Sequence, residues 1–267
     1  MSSSSSDKAK MDSKFASYVY NLGQKVINTC LEMNRIGINQ GTSGNISARV
    51  PMHNKCNSFL ITPSGVPYSD LTPEMLIMIK IDDAEDNPTI IEGASNKSSI
   101  KVLAPSSEWR LHRDIYCLKT SAQAVVHAHP TFSTILSCLH INIPSFHYMI
   151  AVAGGSDIRC TPYHTFGTKA LAEAMKDALK ERYACLLGNH GMIAFSEKSV
   201  NKALSLAIEV EALAKQYYHV LQLTASFGNV VRGSNEILES PTFMLDENEM
   251  KIIKEKFKKY GQSVERS

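Results

Sequence analysis

The chain has no apolar run approaching the roughly 18 residues that a bilayer-spanning helix needs, so no transmembrane segment is expected. It has no surplus of either charge: 28 Lys and Arg against 26 Asp and Glu leave +2 over 267 residues. That balance gives no support for a nucleic-acid or membrane partner. Neither GxxxxGK[ST] nor GxGxxG occurs, which leaves nucleotide binding without a motif. The start, MSSSSSDKAKMDSK, lacks the apolar core of a signal peptide. Six cysteines (Cys30, Cys56, Cys117, Cys138, Cys160 and Cys185) are scattered without a CxxC pair, and read as reduced thiols of a cytoplasmic protein. What remains is ordinary globular material, 43% hydrophobic and 20% charged, best read as one α/β domain.

Residues 1–12 are Ser-rich and hold too little apolar surface to fold, so a disordered tail is expected there. From Ser13, Phe15, Val19, Leu22, Val26, Cys30 and Met33 recur at helical steps, and Gly37 ends the pattern. Strands are expected at Phe59–Thr62, over Met75–Ile81, at Ala124–His129, at Tyr183–Gly188 and at Gly191–Phe195. In the second of these, Met75, Ile77, Ile79 and Ile81 would share one face. Between it and the next helix, residues 83–101 form a polar excursion that is long for a compact domain. Pro105–Trp109 opens that helix, with Leu111, Ile115 and Leu118 as its stripe. A long helix is expected from about Asn201 to Leu223, then a Lys-rich amphipathic one before KKYGQSVERS.

His127 and His129 lie two apart in a strand-like segment, so both imidazoles point to one face a few Å apart. His190, in GNHG between two apolar strands, could present a third ligand from a chain reversal. Three histidines with an open position describe a catalytic rather than a structural zinc site. The same spacing also occurs in strands that bind nothing, and both readings stand on this pattern alone. His53, His112, His140, His147, His164 and His219 show no such spacing and read as surface or packing residues.

Three segments rich in small donors could cradle an anion: Gly41–Asn45, Thr62–Gly65 and the pair Ser106 and Ser107. Each is equally at home as a turn or cap. Glu108 follows the serines in a helix's first turn. There it could complement the dipole, act as a general acid/base, or ligate a metal.

Taken in order, GTSGNIS, ITPSGVPY, PSSEWRLH, AVVHAHPTFSTILS, IPSFHYMIAVAGG, PYHTFGT, LLGNHGMIA and EKFKKYG resemble the class II aldolase/adducin family. The resemblance runs from about Ser13 to Gly261 and marks residues 13–262 as one catalytic domain. It implies a single α/β domain with a central, mostly antiparallel sheet flanked by helices. It implies Zn²⁺ held by His127, His129 and His190, with Glu108 as acid/base and extra ligand. It implies a substrate phosphate held by Thr42, Asn45, Ser64, Gly65, Ser106 and Ser107. Tyr148 becomes the proton donor to the leaving aldehyde's oxygen, and Tyr260 reaches a neighbouring subunit's site in a homotetramer. The implied reaction is reversible cleavage of L-fuculose 1-phosphate to dihydroxyacetone phosphate and L-lactaldehyde through a metal-stabilised enediolate. Apart from the C-terminal EKFKKYG, no lysine lies inside these motifs, in keeping with chemistry that needs no Schiff base.

The polar excursion and the Ser-rich tail depart from the family pattern and read as solvated decoration. A sibling pentulose-5-phosphate 4-epimerase would carry an aspartate near the proton-handling loop, whereas Ser145–Val152 contains no carboxylate. A methylthioribulose-1-phosphate dehydratase is a more distant sibling. An adducin-like interaction module would lack the metal histidines, which are all present here.

Overall fold

Alternation along the strands decides where everything in this chain sits. The structure, a computed structural model, describes residues 5–53, 56–82, 87–91, 103–231 and 243–259. Its strands are β1 (Asn45–His53), β2 (Cys56–Ile61), β3 (Ile77–Lys80), β4 (Ala124–Ala128), β5 (Ala184–Leu187) and β6 (Gly191–Ser196). They form one sheet in the order β3-β2-β1-β4-β6-β5, with every neighbouring pair antiparallel. The helices are α1 (Ser5–Arg35), α2 (Trp109–Leu118), α3 (Thr131–Cys138), α4 (Lys169–Ala178), α5 (Val200–Val231) and α6 (Glu247–Lys259). The expected single α/β domain with a mostly antiparallel sheet is what is found.

Because side chains alternate across a strand, the sheet divides the apolar residues into two cores. Ile46, Ala48 and Val50 of β1, Val126 of β4 and Ala194 of β6 pack with α1, α3 and α5. Phe59, Ile79, Val125, Ile193 and Phe195 face the other way, toward Leu111 and Ile115 of α2 and Leu171 and Met175 of α4. No helix among the described residues is long and apolar enough to cross a membrane.

Several expectations shift. Helical backbone starts at Ser5 rather than Ser13. Asp7–Asp12 contains Lys, Ala and Met, good helix formers that extend an already nucleated helix at little cost. Met75 leaves the Ile77, Ile79 and Ile81 face, because a 3-10 turn at Pro73–Met75 breaks the alternation and turns Met75 to the other core. Helix α2 begins at Trp109, not among the serines, and Leu118 at its end is 42% exposed. The buried stripe of α2 runs instead through Leu111, His112, Ile115 and Tyr116. Helix α5 continues past Leu223 to Val231. β1, α3 and α4 had no sequence assignment.

Part of the polar excursion is also ordered against the sheet. Lys80 N–H donates to Thr89 O at 3.0 Å and Ile91 N–H to Met78 O at 2.9 Å, so this segment covers the β3 edge. Residues 83–86 and 92–102 lie outside the described residues.

Candidate active site

Four elements converge beyond the end of β4. His127 shares the α2 face of the sheet with Val125, and His129 follows just past the strand. The β5–β6 hairpin brings the third ring. Asn189 takes a left-handed turn (φ 52°) and His190 N–H donates to Leu187 O at 3.0 Å. β4 pairs with β6 through Ala128 opposite Met192, which sets this turn against the two strand histidines. A Cβ at Gly191 would lie 2.5 Å from Ala128 O and 2.7 Å from His129 Cδ2, so only glycine permits that approach. The three imidazole centroids stand 4.8 Å apart pairwise. Glu108 occupies the N-cap position of α2 without capping it, and its carboxylate turns toward the rings.

The ligand atoms of Glu108, His127, His129 and His190 all lie within 4.8 Å of one another. His127 Nδ1 stands 2.8 Å from Met192 O, a carbonyl that can only accept, so its Nε2 is left to face the cluster. That Nε2 lies 2.8 Å from Glu108 Oε2 and 2.9 Å from His129 Nε2. His190 Nε2 approaches Glu108 Oε1 at 3.3 Å without hydrogen-bond geometry, so this buried oxygen has no donor. One proton between His127 and Glu108 would satisfy only that pair. A divalent cation satisfies all four groups, and three imidazoles with a carboxylate suit a first-row transition metal such as Zn²⁺.

Electrostatics favour the ligand forms of His129, His190 and Glu108. Burial pushes His129 down to about 3, aided by the charges of His127 and His190. Burial and then His127 push His190 down to about 4. Burial alone would raise the Glu108 carboxyl, but His127, His190 and the Asn45 amide outweigh it and hold it below the carboxylate range. His127 is raised on balance: burial opposes its charge, and Glu108 prevails.

The three small-residue segments are stitched together beside Glu108. Thr62 N–H donates to Ile46 O at 3.2 Å, and Ser106 N–H to Thr62 O at 3.1 Å. Ser64 N–H donates to Ala104 O at 3.0 Å, and Glu108 N–H to Ser106 Oγ at 3.3 Å. Thr42, Ser64, Gly65 and Ser107 are exposed on this rim, while Ser106 is buried. Asn45 is also buried, and its amide donates to Glu108 Oε2 at 3.2 Å.

Tyr148 makes no ring contact or hydrogen bond with His127, His129 or His190 among the described residues. It is 51% exposed at the start of a 3-10 segment, with its ring against His147 and Phe257. Tyr260 lies outside the described residues.

Of the histidines read as surface or packing residues, His112, His140, His147 and His219 have defined hydrogen-bond partners. His147 Nδ1 accepts Met149 N–H at 3.2 Å and caps the 3-10 segment. His112 is fully buried, bonded to Asn45 and Ser47, and held to about 3 by burial and then by His127. A signal for His112 was present, since it lies one helical turn after Glu108.

Comparison with known proteins gives a consistent picture. The profile of the class II aldolase and adducin N-terminal domain matches residues 24–218. L-fuculose phosphate aldolase of Escherichia coli K12 is 42% identical over 244 residues, 91% of this chain and 97% of that one. A 5-methylthioribulose-1-phosphate/5-deoxyribulose-1-phosphate aldolase of Rhodospirillum rubrum is 39% identical over 240 residues, 90% of this chain and 92% of that one. A solved structure of L-fuculose 1-phosphate aldolase superposes with a TM-score of 0.70 at 32% identity, covering 89% of this chain and 96% of that one.

Proposed function

The chain belongs to the class II aldolase and adducin family, and on that premise we propose that it is a zinc-dependent aldolase of the cytoplasm. Its substrate in this reading is L-fuculose 1-phosphate, cleaved reversibly to dihydroxyacetone phosphate and L-lactaldehyde. The observation that carries the reading is the group Glu108, His127, His129 and His190, set beside the rim of Ser64, Gly65, Ser106 and Ser107. Zn²⁺ held by the three histidines would supply the Lewis acidity that stabilises negative charge as the C3–C4 bond breaks.

The residues divide the remaining work. Thr42, Asn45, Ser64, Gly65, Ser106 and Ser107 hold the phosphate through neutral donors, which suits a site that already carries a cation. In condensation the ionised Glu108 removes the proton from the carbon that becomes C3, and cleavage is the reverse transfer, from the carboxyl once it is protonated. Tyr148 exchanges the proton of the C4 oxygen. Its lack of contact with His127, His129 and His190 of its own chain is accounted for if it serves a neighbouring subunit's site, alongside Tyr260, in a homotetramer. Residues 13–262 form the catalytic domain.

A second reading keeps the chemistry and changes the aldehyde. The Rhodospirillum rubrum relative, nearly as similar, is named for 5-methylthioribulose 1-phosphate and 5-deoxyribulose 1-phosphate. One assay separates the two, following dihydroxyacetone phosphate released by zinc-loaded protein from each of these three substrates. Highest kcat/KM on L-fuculose 1-phosphate supports the first reading. A preference of about tenfold or more for either deoxyribulose substrate moves the protein to the second. No release from any of them refutes both.

A further inference from the structure

Beneath Glu108 lies a file of polar side chains for which the reaction above has no use beyond Asn45. Asn45, Ser47, His112 and Tyr116 are each at most 4% exposed, a costly place for polar groups unless each is partnered. Asn45 Nδ2 stands 3.2 Å from Glu108 Oε2, and Asn45 Oδ1 stands 2.5 Å from His112 Nε2. His112 Nδ1 stands 2.6 Å from Ser47 Oγ, which stands 2.8 Å from the Tyr116 hydroxyl. The backbone builds this file directly. Glu108, His112 and Tyr116 recur at four-residue steps along one side of α2. Asn45 and Ser47 alternate onto the facing side of β1.

Distances alone leave the direction of each bond open, and chemistry closes it. An ionised carboxylate only accepts, so Asn45 turns its NH₂ toward Glu108 and its oxygen toward His112. That oxygen needs a donor, so His112 carries its proton on Nε2. The ring is fully buried with no carboxylate in hydrogen-bond contact, so it is neutral and its Nδ1 is bare. The bare nitrogen takes the Ser47 hydroxyl proton. Ser47 has then used its one hydrogen, and its oxygen accepts from Tyr116.

We propose that Tyr116, Ser47, His112 and Asn45 form a one-way hydrogen-bond relay that fixes the orientation of the Glu108 carboxylate, with His112 as the positioning residue that sets its polarity. Reversing any one bond would set two acceptors or two donors face to face in a dry interior. The carboxylate is thereby denied rotation about its last bond, and its two oxygens stay aimed at His127 and His190. The catalytic consequence rests on the role given to Glu108 above, whereas the polarity of the relay does not, so the two can fail separately.

The test uses the full chain loaded with zinc. Two-bond ¹H–¹⁵N correlations read the tautomer of His112, expected as Nε2–H. In Ser47→Ala, where Nδ1 has lost its donor, a population with the proton on Nδ1 should appear. A wild-type His112 protonated on Nδ1, or on both nitrogens, overturns the relay. In kinetics, His112→Gln keeps an amide donor near the Nε2 position and should hold kcat within about threefold of wild type. His112→Leu should lose about tenfold or more in kcat with its zinc content unchanged. Equal activity of the Gln and Leu variants overturns the positioning role. Ser47→Ala, a smaller perturbation to folding, carries the same kinetic test and should fall between them. An inactive wild-type protein with His112 as Nε2–H would support the relay while refuting the proposed reaction.

Discussion

On the α1 and α5 side of the sheet, the central strands bury Ile46, Ala48, Val50, Ala124, Val126, Ala128, Met192 and Ala194. On the α2 side, the same strands put Asn45, Ser47 and His127 among Phe59, Val125, Ile193 and Phe195. One side is held by area and packing, where energy scales with buried volume and the identity of a methyl group matters little beyond fit. The other tolerates polar groups only because each has a partner, so removing one leaves another stranded. Chemistry is placed on the second side, where geometry is set by hydrogen bonds rather than by close-packing alone.

The contrast is broken most severely at the histidines proposed to hold the metal. His127→Ala, or chelation, should lower aldol cleavage by at least about 1,000-fold. The far-ultraviolet circular dichroism should remain that of a folded chain. Wild-type turnover after complete metal removal would argue against the metal mechanism. Outside the sheet, Tyr148→Phe should lower kcat by about 100-fold with a smaller change in KM. A change confined to KM would assign that tyrosine to binding instead.

On the apolar side the expected signature is reversed. Leu213→Ala, in the α5 core, should cost about 2–5 kcal/mol of stability in denaturant unfolding. Its zinc content and turnover per folded molecule should stay unchanged. A matching loss of turnover would mean that the two sides are not independent.

The smallest effect is one of pH. His112 has its folded value lowered to about 3, below the ordinary histidine range. Between those values the unfolded chain binds a proton that the folded chain does not. The contribution is therefore present above about 6.5 and is lost as pH falls toward about 3. His112→Gln should remove that part, giving a shallower fall of unfolding midpoint with acidity than wild type. Identical pH profiles would show that His112 contributes no such linkage.

How much of this was legible follows the same division. The apolar side announces itself by period: Phe15 to Met33 and Leu204 to Tyr217 are readable because burial there needs only hydrophobicity at regular steps. Helix α4 was also readable, from Leu171, Ala172 and Met175 behind a Thr168 cap, and went unassigned. β1 carried the alternation of a strand, Asn45, Ser47 and Arg49 against Ile46, Ala48 and Val50, but Asn and Ser directly after the Gly-rich GTSG stretch are also what a turn presents. Their partners, His112, Tyr116 and Ala122, are more than sixty residues away in sequence. At the site, the spacing of His127 and His129 marked two candidate ligands, the glycine-flanked turn offered His190 as a third, and the resemblance chose among the open readings of Glu108. The four-residue step from Glu108 places His112 on the same side of α2, but its partners and its role exist only once α2 lies across β1.

The most direct test of the central claim is a zinc titration of chelated protein, following dihydroxyacetone phosphate released from L-fuculose 1-phosphate. Cleavage should rise from near zero and level off at one equivalent of zinc per chain. Undiminished cleavage before any zinc is added, or a rise with no break at one equivalent, would contradict it.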